Sequence, residues 1–208
     1  MAPEAARKIP DPNAPNDPAV EAAFFAVPDT MIAEIIGGIL YTQPRPARRH
    51  TKAHSELAME LGPPFSRGKG GPGGWIIRYE PEIHVGPKPD KIVPDLAGWR
   101  VERMLDELGS DLAYYDVVPD WVCEVLSPST EGIDRLKKMH IYRREGVRYV
   151  WLLQPVHRTL EVYRWEGGHY VLADTFGEDA VVRAEPFDAI ELDLSLLWMA
   201  PPPETEST

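Results

Sequence analysis

Apolar residues recur along this chain with two different periods, and the changes of period mark its elements. Ala53, Leu57 and Leu61 fall four apart, with Ala58 widening the same face, which predicts an amphipathic helix over 50–61 ended by Gly62-Pro63-Pro64. From 75 to 85 the period is two, with Ile77, Tyr79, Ile83 and Val85 on one face and Glu80, Glu82 and His84 on the other, as in a half-buried strand. Residues 92–99 read as a second strand. Residues 120–126 are apolar on both faces, which places this third strand centrally. Ile133, Leu136, Met139 and Tyr142 then form a helical stripe, predicting a helix over 131–145 with cap candidates in Ser127-Pro128-Ser129-Thr130 and a stop at Gly146.

Residues 147–153 make a fourth strand. Segments 159–165 and 169–173 flank Glu166-Gly167-Gly168 as a hairpin, and short strands near Val181 and Ile190 finish the sheet. Glu34 to Tyr41, turning at Gly37-Gly38, predicts another hairpin ahead of the first helix. The order is helix, three strands, helix, strand: an α/β fold with an added N-terminal hairpin and added C-terminal strands. A chain of 208 residues suits one domain, expected over 21–199, between a Pro-, Ala-, Asn- and Asp-rich arm at 1–20 and a tail at 200–208.

Composition changes this picture little, but charge does. The net charge of −11 argues against a nucleic-acid partner only if it is spread evenly. From Asp174 onward nine acids face Arg183 alone, a net −8. Residues 45–69 instead carry six basic groups, Arg45, Arg48, Arg49, Lys52, Arg67 and Lys69, against two acids, a net +4. Residues 131–148 carry six basic groups against three acids, a net +3. Such runs are solvated helix faces or a phosphate-facing surface. The single cysteine, Cys123, lies in an apolar run, so no disulfide framework exists. With no signal peptide and no apolar stretch of spanning length, the sequence predicts a soluble cytoplasmic protein without a membrane partner.

Glu124 stands inside Trp-Val-Cys-Glu-Val-Leu, where an unpartnered carboxylate costs several kcal/mol. Protonation, a basic partner or a bound cation would offset that cost. Asp95 follows Pro94 in the preceding strand, and two strand-borne carboxylates suit a hard cation such as Mg²⁺ that retains waters. Glu82, one strand earlier, is a candidate for the same cleft. Lys138 lies one helix later, with Asp134 and Tyr142 four residues to either side on one face, and an ordinary Asp134–Lys138 pair is its simplest explanation.

Three segments raise these residues above coincidence: Pro94-Asp-Leu-Ala-Gly-Trp-Arg100, Glu124-Val-Leu-Ser-Pro-Ser-Thr130, and the run from Asp134 through Lys138, Tyr142 and Gly146 to Trp151. With Glu60-Leu-Gly-Pro-Pro-Phe65 and Gly70-Gly-Pro-Gly-Gly-Trp75, they closely resemble the Uma-two family of restriction-endonuclease-like proteins, within the PD-(D/E)XK nuclease superfamily. The resemblance implies a restriction-endonuclease-like core in the order already read from pattern. It implies metal ligation by Asp95 and Glu124, with Mg²⁺ or Mn²⁺ as cofactor and DNA as partner. The superfamily lysine two positions after the acid is here Leu126, and the resemblance assigns its role of orienting the attacking water to Lys138. An acid from the first helix often joins such sites, and Glu56 and Glu60 are the candidates.

Other chemistries find less support. The six histidines lack the His-Glu-x-x-His pattern, and Gly68 to Gly74 lacks the Lys-Ser/Thr ending of a phosphate-binding loop. Cys123 should point away from Glu124 as a core thiol, and the strand tryptophans should pack in the core. The leading expectation is a Mg²⁺-dependent endodeoxyribonuclease. Its alternatives are a non-catalytic module retaining the fold, favoured by Leu126, and a hydrolase of smaller phosphoesters. Pairing into a homodimer through the 159–173 hairpin is open.

Overall fold

The computed structural model describes residues 15–107 and 109–199. The expected arm lies outside these through residue 14, and the expected tail lies outside them entirely. A helix begins within the last residues assigned to the arm: Pro18–Phe25 is α1, capped by the Asp17 side chain accepting the Ala19 N–H. Lys91 holds this helix down, with its ammonium 4.7 and 4.6 Å from the rings of Phe24 and Phe25.

Strands β1 (Met31–Ile36) and β2 (Ile39–Pro44) form the expected hairpin, followed by helix α2 (Arg48–Leu61). Ala53, Leu57 and Leu61 are buried as the spacing required. Gly62-Pro63-Pro64 does not end the helical path, which runs on as a π-helical turn over Gly62–Ser66. The glycine loop folds back on that turn, with Lys69 and Gly73 donating to the Pro63 and Pro64 carbonyls at 2.9 Å each.

The two strands expected at 75–85 and 92–99 are each broken in two. Strand β3 (Trp75–Tyr79) and β4 (Ile83–Val85) are separated at Glu80, whose φ of 45° turns the chain in a way no alternation pattern announces. Strand β5 (Asp90–Ile92) and β6 (Leu96–Arg100) are separated at Val93-Pro94-Asp95, where proline cannot donate to a ladder. The pieces go to different sheets. A four-stranded antiparallel sheet runs β2-β1-β5-β4, while β3 and β6 join β7 (Trp121–Val125), β8 (Tyr149–Gln154), β9 (Thr159–Glu166) and β10 (His169–Gly177) in the order β10-β9-β8-β7-β6-β3. Among the strands of the described residues only β7 and β8 pair in parallel, as a helical crossover between them requires. Strands β11 (Val181–Val182) and β12 (Leu192–Asp193) pair with each other instead of finishing the large sheet.

The crossover consists of α3 (Glu131–Ile133), a π-helical turn over Asp134–Lys138, and α4 (Met139–Glu145). The π turn overrides the expected stripe. Leu136 is 69% exposed, while Asp134, Lys138, Ile141 and Tyr142 face inward. Gly146, at φ 75°, closes α4 as expected.

Both faces of the large sheet are covered. One packs on α2 and the C-terminal segment, with Phe187 against Phe65, Trp75, Trp121 and Trp151 at ring separations of 4.6 to 5.6 Å. The other packs on α4 and the small sheet, burying Trp99, Val122, Leu126, Ile83, Ile92 and Ile141. Gly98 lets β6 fit between its neighbours, since a Cβ there would stand 3.1 Å from the Trp121 ring and 3.3 Å from that of Trp75. Among the described residues no helix is long and apolar enough to cross a membrane.

Candidate active site

The cleft opens where the chain leaves one sheet for the other. Pairing of β6 with β7 stops at Leu96–Cys123, and the next residue on each strand is Asp95 or Glu124. Asp95 Oδ2 accepts the Val125 N–H at 2.7 Å, so a side chain takes over where backbone pairing ends. Strand alternation puts Cys123 and Val125 in the core beside α2 and leaves Glu124 on the opposite face. Cys123 is accordingly an inert thiol, its ionisation pushed up by burial and by the Asp95 and Glu124 carboxylates.

Glu124 is only 2% exposed, and Lys138 only 1%. Lys138 Nζ reaches Glu124 Oε1 at 3.0 Å, Glu34 Oε1 at 3.0 Å, Asp134 Oδ1 at 3.6 Å and the Val93 carbonyl at 3.2 Å. Tyr142 donates its hydroxyl to Glu124 Oε1. Asp134, Lys138 and Tyr142 therefore share one face, as their spacing implied. His50, from the first turn of α2, places Nε2 3.0 Å from Asp95 Oδ1.

Electrostatics follow from depth. Burial pushes the Glu124 carboxyl well above the usual carboxylate range; Lys138 offsets this only in part, and Asp134, Asp95 and Glu34 act in the same direction as burial. Burial alone would lower Lys138, but Glu124, Glu34, Tyr142 and Asp134 hold its ammonium well above its ordinary value. Asp134 is raised to about 6, chiefly by burial, and burial also pushes Tyr142 well up. One ammonium cannot neutralise three buried carboxylates, so the cluster retains a proton readily. Burial would lower His50, yet its hydrogen bond to Asp95 and the surrounding carboxylates leave it above its ordinary value.

The cavity in front of these groups measures about 340 Å³ and is lined by Asp95, Glu124, His50, Asp134, Lys138 and the Ser127 to Thr130 loop, among others. Not every sequence candidate reaches it. Glu82 does not: its carboxylate lies 2.6 Å from His84 Nε2, because the turn at Glu80 carries it to the small sheet, and Glu80 lines the cavity instead. Glu56 pairs with Lys52 at 3.0 Å, and neither it nor Glu60 lines the cavity. The additional acid comes from β1 as Glu34, which also accepts the Val93 N–H at 2.8 Å. An acid inside the apolar run Met31-Ile-Ala-Glu-Ile-Ile36 is the same signal that singled out Glu124. His50 had no comparable signal.

Asp95 and Glu124 could hold a hard divalent cation. A carboxylate has about four lone-pair sites, and Asp95 uses two of them for His50 and Val125. Among the described residues no three His, Cys, Asp or Glu side chains converge on a metal position, and Glu124 is already engaged by Lys138 and Tyr142, so these two carboxylates alone would have to hold an ion that keeps most of its water.

Comparison with known proteins gives two findings. A family model described as "Uma2: Putative restriction endonuclease" matches residues 22–196. The crystal structure described as "a putative nuclease belonging to DUF820 from Anabaena variabilis ATCC 29413" superposes with a TM-score of 0.67 at 24% identity, over 84% of this chain and 94% of that one. That likeness establishes the fold. No curated protein sequence matches.

Proposed function

Because this chain belongs to the Uma2 family of restriction-endonuclease-like proteins, we propose that it is a metal-dependent endonuclease hydrolysing DNA phosphodiester bonds in the cleft between its six-stranded and four-stranded sheets. The observation that carries this reading is Lys138: with Leu126 at the usual lysine position, the helix that follows Glu124 returns an ammonium to 3.0 Å from its carboxylate, beside Asp95. Asp95 and Glu124 would hold Mg²⁺ or Mn²⁺, whose chemistry when bound is to acidify water and draw charge from a phosphate. Lys138 then fixes the Glu124 carboxylate in the cavity wall. His50 keeps Asp95 oriented through Oδ1, leaving its remaining lone pairs toward the cavity. Plasmid cleavage with Mg²⁺ or Mn²⁺ tests the proposal: wild type should nick or linearise DNA and Asp95→Ala should not. Equal cutting by both would remove Asp95 from the mechanism, and no cutting of plasmid or of partly single-stranded DNA under either metal would remove the nuclease reading.

One observation favours a second reading, a non-catalytic module retaining the fold. Lys138 meets four acceptors within 3.6 Å, more than the three protons of an ammonium can serve, so the cluster also makes sense as a purely structural ion network. Calorimetry with Mn²⁺ separates the two. Binding abolished by Glu124→Gln supports the enzyme, and absence of binding supports the module.

A further inference from the structure

A second groove of about 630 Å³ adjoins the cleft and has no role in it. It lies between the end of α2 and β3, the edge strand of the large sheet, and is lined by Met59, Ser66, Arg67, Ile77, Arg78 and Tyr79 among others. Two steps along the chain join it to the cleft: Leu96 lines the groove and Asp95 the cleft, while Tyr79 lines the groove and Glu80 the cleft. Cleft and groove therefore border each other at these two positions.

Its lining is unusual for a solvent-facing surface. Tyr79 is 71% exposed and Met59 56%. The Tyr79 ring meets His54 only edge-on, at 63° and 6.3 Å between ring centres. Arg67, Lys69 and Arg78 are exposed and make no ion pair among the described residues. Arg78 bonds only to the Tyr115 hydroxyl and the Ile77 carbonyl. Two nearby acids are occupied elsewhere, Glu80 by Arg45 and Glu56 by Lys52.

We propose that this groove binds a single-stranded DNA segment flanking the scissile phosphate, with one unpaired base stacked on Tyr79 and its phosphates facing Arg67 and Arg78. A base inside a duplex already has both faces covered, so an exposed aromatic ring beside uncompensated cations selects an unpaired one. The proposal rests on the reading of the cleft as a phosphodiester-hydrolysing site and narrows its substrate to strands unpaired on one side of the cut.

The test is filter binding of a labelled twelve-nucleotide oligo-dT, its duplex and the matching RNA to the full chain in EDTA, alongside plasmid and oligonucleotide cleavage with Mn²⁺. Wild type should bind the single DNA strand most tightly, Tyr79→Ala should weaken it about ten-fold, and Tyr79→Phe should restore it. Arg67→Ala should lower the salt dependence of binding by about 0.7 in the logarithmic slope. Tyr79 is solvent-exposed, so an unchanged melting curve shows that the variant folds. Preference for duplex or RNA, or equal binding by Tyr79→Ala, overturns the proposal. Single-strand binding that depends on Tyr79 without cleavage supports the groove and removes the nuclease reading. Cleavage with no dependence on Tyr79 keeps the nuclease and removes the groove.

Discussion

Lys138 is shared by Glu34, Glu124 and Asp134, and its removal should be felt by all three. Lys138→Met leaves their carboxyls buried without a cation, and a loss of about 3–5 kcal/mol at pH 7 is expected from urea unfolding. Asp134 gives the complementary result. Its folded value of about 6 lies above the unfolded 3.8, so its protonated form favours folding at low pH, and that contribution fades as pH rises through 6. Asp134→Asn should therefore stabilise the protein at pH 7 by roughly 2 kcal/mol and flatten the decline in stability between about pH 4 and 6. A variant whose stability follows the wild type across that range would show that Asp134 carries no such penalty. Glu124 in its apolar run was legible in sequence, and so was the shared face of Asp134, Lys138 and Tyr142, whereas Glu34 went unread although it stands in a similar run. The misplacement of Glu82 traces to Glu80, a non-glycine residue in a left-handed conformation, which hydrophobic alternation does not register.

The elements predicted best were those whose pattern runs unbroken within one sheet or helix: α2, the hairpin of β9 and β10, and the central β7 and β8. Those predicted worst were strands that change sheets, because an alternating pattern is preserved on both sides of a break and hides it. The π turn is a similar case. It buries a lysine and exposes a leucine, the reverse of what residue polarity suggests. Leu136→Lys should consequently change stability by no more than about 0.5 kcal/mol, where a regular helix would have placed a core residue. Gly98 should be intolerant instead. With Trp121 and Trp75 at 3.1 and 3.3 Å from an added Cβ, Gly98→Ala is expected to cost about 1–3 kcal/mol in chemical denaturation, and a neutral result would mean that the rings give way.

At the scale of the whole molecule, the large sheet is a wall with different business on its two sides. One side is closed by aromatic packing around Phe187, which ties the C-terminal segment to α2 and the central strands. Phe187→Ala should cost about 3–5 kcal/mol and loosen that segment, measurable as faster proteolysis after β10. The other side carries the charge cluster, assembled from β1, the break between β5 and β6, β7 and the crossover helix. Overall charge was a poor guide to this organisation, since −11 summed over the chain conceals exposed cations gathered beside the cleft.

The same division separates the protein's indole chromophores. Trp75, Trp121, Trp151 and Trp198 lie in the core turned away from the cleft, whereas Trp99 alone among the buried tryptophans belongs to the side that holds it. Intrinsic fluorescence is thus dominated by the face of the sheet opposite Glu124. An inactive variant with native emission has lost chemistry, and one with red-shifted emission has lost its fold, so the molecule carries its own optical control for every experiment at the site.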